Sequence, residues 1–334
     1  MTNERQVMES LESVVVPSVK RSIVGLNLVR KVTTSDKKVN ITLASTGLVP
    51  GAQDWIKEKA REAVEGLPGV NHANIEYTDA KAKDLNEIGH MVAVMSGKGG
   101  VGKSLVSSLL AIALKRSGYQ VGILDADITG PSIPKMFGLT ERPSGNESGI
   151  LPVLSRSGIE VMSINLLLPS EEDAVIWRGP LIGNTIKQFG EDVLWGKLDY
   201  LLVDLPPGTA DAPLTLMQSF PISGVVVVFT PQDLVEMIVR KAVNMARTMD
   251  KRVLGVVENM SYLYVPEIDK RIEIFGRSRG EEMARAVNAP LIGQLPIDPD
   301  LARLCDEGQI ESYDGEIVTK LGASLVQSIM AGAK

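Results

Sequence analysis

The chain has 334 residues, 35 basic against 41 acidic, a net charge of −6 and 44% apolar residues. Those values fit a soluble globular protein of one large domain or two smaller ones, and they exclude a global positive field that would gather nucleic acid or an anionic membrane. No apolar run reaches the about 20 residues of a membrane span, and Met-Thr-Asn-Glu-Arg lacks the charged-then-apolar order of a signal peptide. A cytoplasmic protein with no nucleic-acid and no membrane partner is therefore expected. Cys305 is the only cysteine, so neither an intrachain disulfide nor an all-cysteine metal site can form within one chain.

Residues 1–80 read as a small α/β unit. Glu4 to Val14 spreads Val7, Met8, Leu11 and Val14 over one face of a helix. Val39 to Leu43 alternates as a strand does, and Pro50-Gly51 is a turn signal. Gln53 to Leu67 is a charged amphipathic helix stopped by Pro68-Gly69, and Asn74 to Tyr77 closes the unit as a strand. The polar stretch over 81–90 reads as a linker. From 91 to 334, apolar strands alternate with helical stretches. Candidate strands are Met91–Met95, Val121–Asp125, Ile159–Ile164, Tyr200–Asp204, Val225–Thr230, Val253–Val257 and Pro290–Gln294. This alternation predicts an α/β fold with a doubly wound, mostly parallel sheet, which binds ligands at the carboxyl ends of its strands.

Gly97-Lys98-Gly99-Gly100-Val101-Gly102-Lys103-Ser104 fits the phosphate-loop pattern G-x-x-x-x-G-K-S, between a predicted strand and a predicted helix. Glycine lets the backbone turn its N–H groups inward as an anion cradle, and the following helix aims its positive end at the phosphates. Lys103 is expected on the β- and γ-phosphates and Ser104 on Mg²⁺. Asp125 and Asp127 end one strand, suiting Mg²⁺-bound water and an attacking water. Asp204 ends another and is expected to hold Mg²⁺ through water. In the stiff turn after it, the Gly208 N–H is placed to sense the γ-phosphate.

Lys98, a second lysine inside the loop, gives a form that resembles the deviant phosphate loop of MinD/ParA-type ATPases. In that class the extra lysine acts across a nucleotide-sandwich dimer. Asp125 to Gly138, Trp177 to Pro180, Asp199 to Gly208, Thr230 to Asp233, Glu258 to Tyr262 and Pro296 to Pro299 narrow the resemblance to the Mrp/ApbC branch. The N-terminal unit is similar to a domain related to iron–sulfur assembly factors. The resemblance implies a cytosolic homodimer that hydrolyses Mg²⁺·ATP and carries iron–sulfur clusters to client apo-proteins. It implies that Asn259 bonds adenine, that Asp127 positions the hydrolytic water, that Gly208 lies in a switch and that Lys98 acts on the partner's nucleotide.

Several positions depart from the family pattern. Where Mrp-type proteins carry Cys-Pro-x-Cys, which bridges a [4Fe–4S] cluster between subunits, this chain has Val265-Pro266-Glu267-Ile268. Aliphatic side chains do not ligate iron, so the sequence argues against a cluster on the usual ligands. Leu105 replaces a usual Thr beside the α-phosphate. The N-terminal unit has Val16-Pro17-Ser18 for the usual Asp-Pro-Glu, and no thiol in Ser45 to Pro50. Cys305 is expected as a small buried residue, and His72 and His90 as solvated rather than ligating. Beside the cluster-carrier reading stands a nucleotide-gated adaptor that has lost cluster chemistry. A MinD/ParA-type spatial organiser is disfavoured, because Leu321 to Lys334 holds one basic residue, Lys334.

Overall fold

The computed structural model describes residues 3–127, 130, 132–167, 188–209, 211–232 and 235–332. The chain forms two compact units: Met1–Gly89 with Glu141–Leu154 and Gln188–Leu198, and His90–Thr140 with Ser155–Lys187 and Asp199–Lys334.

In the first unit, helix α1 (Glu4–Leu11) opens on a capping box. Asn3 Oδ1 accepts the Gln6 N–H at 2.9 Å, and Gln6 Oε1 accepts the Asn3 N–H at 3.0 Å. Strands β1 (Val29–Ser35) and β2 (Lys38–Ala44) form a hairpin turning at Asp36 and Lys37, both at positive φ. Helix α2 (Pro50–Glu65) carries the chain across to β3 (His72–Thr78), which runs parallel to β2. Pro50 is thus the first helical residue and not a turn. Its missing N–H is one that the helix start leaves unpaired anyway.

Ala82 and Leu85 belong to this unit's core with Leu11, Ile41, Ile56 and Ile75, and Leu151 and Leu194 join them from later in the chain. The 81–90 stretch is therefore a single 3₁₀ turn (Ala82–Asp84) and, after Leu85 and Asn86, the start of a strand at Glu87, where a linker was expected. Two apolar residues three apart suffice to bury one face of that turn, but they are too few to show as a periodic pattern. The later segments are held by side-chain amides. Asn146 accepts the Gly47 N–H at 3.0 Å and donates to Ser45 O at 2.8 Å. Asn86 donates to Val193 O at 2.9 Å and accepts the Trp195 N–H at 2.8 Å. The first unit is thus discontinuous in sequence, unlike the simple division at 80 and 91.

In the second unit the elements are β4 (Glu87–Ser96), α3 (Lys103–Arg116), β5 (Val121–Asp125), α4 (Ile133–Phe137), β6 (Glu160–Ser163), β7 (Lys197–Asp204) and α5 (Asp211–Ser219). They continue as β8 (Gly224–Phe229), α6 (Val235–Thr248), β9 (Val253–Glu258), α7 (Gly280–Ala286), β10 (Leu291–Gln294), α8 (Pro299–Asp306) and α9 (Glu316–Met330). Seven of the eight strands of this sheet lie in the order β6-β5-β7-β4-β8-β9-β10. β6, β5 and β7 pair in parallel, as do β4, β8, β9 and β10. Every candidate strand of the sequence is present, β5 with the expected bounds. The continuous Val225–Phe229 run is buried throughout, as a strand covered on both faces must be. From β4 the chain builds β5 and β6 to one side and returns to β7. It then crosses to β8, β9 and β10 on the other side. Loops leaving the carboxyl ends of β4 and its neighbours diverge there and leave a crevice. Among the described residues no helix is long and apolar enough to cross a membrane.

Candidate functional site

The loop between β4 and α3 lies in that crevice. It lines a cavity of about 300 Å³ that includes Gly99, Lys103, Ser104, Leu105, Asp127 and Pro207. Gly100 and Gly102 take φ of 78° and 80°, left-handed values that favour glycine. Gly97 is required for a different reason. A Cβ there would stand 2.1 Å from Ile238 Cγ2 and 2.7 Å from Ile238 O on α6. Ser96 braces the loop by donating from Oγ to Lys98 O at 2.9 Å. Leu105 faces the cavity, so the missing threonine hydroxyl is missing at the site itself.

Lys103 is buried, and its Nζ lies 2.7 Å from Asp204 Oδ2 and 3.4 Å from Asp127 Oδ2. Ser104 Oγ donates to the same Asp204 Oδ2 at 2.6 Å, and Ser107 Oγ donates to Oδ1 at 2.7 Å. Asp125 is held by Ser163 Oγ at 3.0 Å and by the Asp127 N–H at 3.2 Å. Burial, and next the nearby Asp204 charge, push the Asp125 carboxyl up to about 8, while Lys103 and Ser163 pull the other way. Three carboxyl groups thus share one ammonium, an arrangement short of positive charge. Hard oxygen donors with unneutralised charge, Ser104, Asp125 and Asp204 among them, are the kind of donor set that suits Mg²⁺.

Lys98, Asn259 and Gly208 are less simply placed. Lys98 Nζ donates to Gln232 Oε1 of its own chain. Asn259, implied by the resemblance to bond adenine, spends its amide elsewhere. Its Nδ2 donates to Val101 O of the phosphate loop at 2.9 Å, and its Oδ1 accepts the Met260 N–H at 2.9 Å. Gly208 takes φ of +94° with no atom near its missing Cβ. Its N–H, expected to face the γ-phosphate, donates to Ser96 O at 2.9 Å. The motif residues Ile128, Thr129, Pro131, Trp177 to Pro180 and Asp233, and Lys334 at the terminus, lie outside the described residues.

Val265 and Ile268 sit on a hairpin of Leu263–Val265 and Lys270–Ile272. It presents Tyr264, Ile268, Ile272, Ile274 and Phe275 to solvent, Ile268 at 55% exposure. Among the described residues no group of three or more His, Cys, Asp or Glu side chains that could hold a metal ion occurs, at this hairpin or elsewhere. Cys305 lies on α8 and is half-buried, not fully so. Burial, then Asp306, raises its thiol to about 11. His72 is exposed, 3.4 Å from Glu65, and His90 stacks on Tyr200. Sequence reasoning gave no role to Ser107, Ser163, Gln232 or Glu258. Ser107 has a local signal, one helical turn beyond Lys103, and Gln232 and Glu258 stand in the segments that carry the family resemblance; Ser163 has none.

Comparison with known proteins identifies the lineage. A family profile described as NUBPL iron-transfer P-loop NTPase, of ParA type, matches residues 87–330. The chain belongs to that family. A second profile, iron-sulfur cluster assembly protein, matches residues 4–77. The iron-sulfur cluster carrier protein of Clostridium perfringens is 48% identical over 256 residues, 74% of this chain and 85% of that relative. The iron-sulfur cluster carrier protein of Synechocystis is 36% identical across 98% of both chains, so the family resemblance includes the N-terminal unit. A nucleotide-binding protein in complex with ADP from Archaeoglobus fulgidus is 46% identical, with a TM-score of 0.63 over 71% of this chain and 94% of that one. The family therefore fixes a P-loop NTPase fold preceded by a small iron–sulfur assembly domain.

Proposed function

We propose that the protein is a slow Mg²⁺·ATP-hydrolysing, dimeric switch in iron–sulfur delivery whose nucleotide state is felt by a client apo-protein. The observation that carries this reading is Lys103 held on Asp204 and Asp127 beside an open cavity. The ammonium stands where a cation is needed, and incoming phosphates offer it a stronger partner. Lys103 then serves the β- and γ-phosphates, with backbone N–H groups of Gly97 to Ser104 cradling the rest. Ser104, with Asp125 and Asp204 through water, would hold Mg²⁺, which supplies charge neutralisation on the transferred phosphoryl group. Asp127 orients the attacking water. In a dimer, Lys98 exchanges Gln232 for the partner's nucleotide.

The usual cluster ligands do not fit. Positions 265 and 268 are aliphatic, and Cys305 is half-buried with a raised pKa. No cluster step is therefore derived. The mixed charges beside the apolar hairpin residues, Glu267 and Asp269 against Lys270 and Arg271, suit contact with a second copy. The relatives' names favour a second reading, carriage of a cluster on other ligands. ATP turnover, iron and acid-labile sulfide measured on one anaerobically reconstituted sample separate the two. The switch predicts turnover, lost in Lys103→Ala, with no stoichiometric iron. Iron in proportion to dimer establishes the carrier reading instead.

A further inference from the structure

Glu258 ends β9, is fully buried, and takes part in no step above. Its carboxylate is saturated by four donors. Oε1 accepts the Arg279 N–H at 2.7 Å. Oε2 accepts Ser261 Oγ at 2.7 Å, Ser278 Oγ at 2.6 Å and Gln294 Nε2 at 3.0 Å. Ser261 enters the apolar hairpin segment, and Ser278 and Arg279 leave it. One side chain therefore clamps both ends of residues 263–277.

The next residue, Asn259, is the tie to the phosphate loop through Val101 O. The turn between clamp and tie has little freedom. Asn259 N–H donates to Phe229 O at 2.7 Å, Leu295 N–H to Glu258 O at 2.8 Å, and Ser261 N–H to Leu295 O at 2.9 Å. Met260 is fixed at a φ of +55°. A second route ends at the same place. Gly97 packs directly on Ile238 of α6, and Glu236 of that helix lies 3.7 Å from Arg279. Two contacts from opposite ends of the phosphate loop thus converge on residues 278–279.

We infer that Glu258 is a positioning residue that couples occupancy of the phosphate loop to the conformation of the apolar hairpin 263–277. The inference rests on the reading that the loop binds Mg²⁺·nucleotide. Phosphates that draw Lys103 from Asp204 shift the loop at Val101. A stiff turn passes that displacement to the clamp instead of absorbing it. Because coupling is reciprocal, a partner that grips the hairpin changes nucleotide affinity by the same factor.

The test is hydrogen–deuterium exchange on the full chain, nucleotide-free and with saturating Mg²⁺·ADP or Mg²⁺·AMPPNP, following peptides over 97–104 and 263–277. In the wild type, nucleotide should protect 97–104 and change exchange of 263–277 by about threefold or more. In Glu258→Gln, which puts a donor where Oε2 accepts three bonds, the hairpin response should vanish while 97–104 stays protected. Ser278→Ala, which removes one of the two bonds at the exit of the hairpin and leaves the Arg279 N–H on Oε1, should at least halve the response and serves if Glu258→Gln does not fold. A protected loop with an unresponsive wild-type hairpin overturns the coupling alone. So does a variant hairpin that exchanges faster in every state yet keeps the wild-type nucleotide ratio. An unprotected wild-type loop overturns the nucleotide reading and the coupling with it.

Discussion

Gly97→Ala tests how tightly α6 is packed on the phosphate loop. The new methyl would lie 2.1 Å from Ile238 Cγ2 and 2.7 Å from Ile238 O, where carbon contacts are comfortable at about 3.5–4.0 Å. The side-chain methyl can rotate away. The carbonyl is part of a helix and cannot, so either α6 or the loop must retreat. Overpacking of this kind costs about 1–3 kcal/mol. At roughly 2–4 °C per kcal/mol for a domain of this size, the melting temperature should fall by about 2–12 °C. Mg²⁺·ADP affinity should weaken as well, since the loop that moves is the one that cradles phosphate. Ile238→Ala in the same chain removes the closer contact but leaves the carbonyl, so it should recover only part of the loss. Calorimetric melting without nucleotide and titration with Mg²⁺·ADP read the two effects. A melting temperature within about 1 °C of wild type with unchanged affinity would refute the close approach.

Three further outcomes follow from the buried charges and the thiol. Lys103→Ala leaves Asp127 and Asp204 without their ammonium, so nucleotide-free stability should drop by about 3–5 kcal/mol in urea titrations as well as nucleotide binding failing; unaltered stability means the pairing seen here contributes nothing. Asp125 has a folded pKa raised to about 8, so its stabilising protonated form is present at low pH and is lost as pH rises from its ordinary value near 4 through 8. Asp125→Asn should therefore be more stable than wild type at pH 8, by less at pH 5, while losing Mg²⁺-dependent nucleotide affinity; a gain that does not grow with pH contradicts the assignment. Cys305, raised by burial to about 11 from its ordinary value of 9.0, should react with iodoacetamide at pH 8 about 100-fold more slowly in the folded chain than after unfolding; equal rates would show a thiol exposed beyond what the structure gives.

The sequence by itself determined the parts of this protein whose chemistry is local. A phosphate loop needs glycine where φ is positive and a lysine and a serine at fixed offsets, so Gly100, Gly102, Lys103 and Ser104 were legible from eight consecutive residues. The buried strands showed as unbroken apolar runs, and Asp125 and Asp204 stood at their ends because a parallel sheet gathers functional groups there. Val265 and Ile268 were legible in the same way, as an absence of thiols. Only the tertiary structure decided what joins across distance. Asn259 meets Val101 across 158 positions, and Ser163 meets Asp125 across 38. Gly97 owes its identity to a carbonyl on α6, and the N-terminal unit completes its core with Leu151 and Leu194. None of these leaves a periodic or composition signal, because each depends on which loops the sheet's strand order brings together. That order is set by packing the whole chain at once, and one-dimensional spacing carries no record of it.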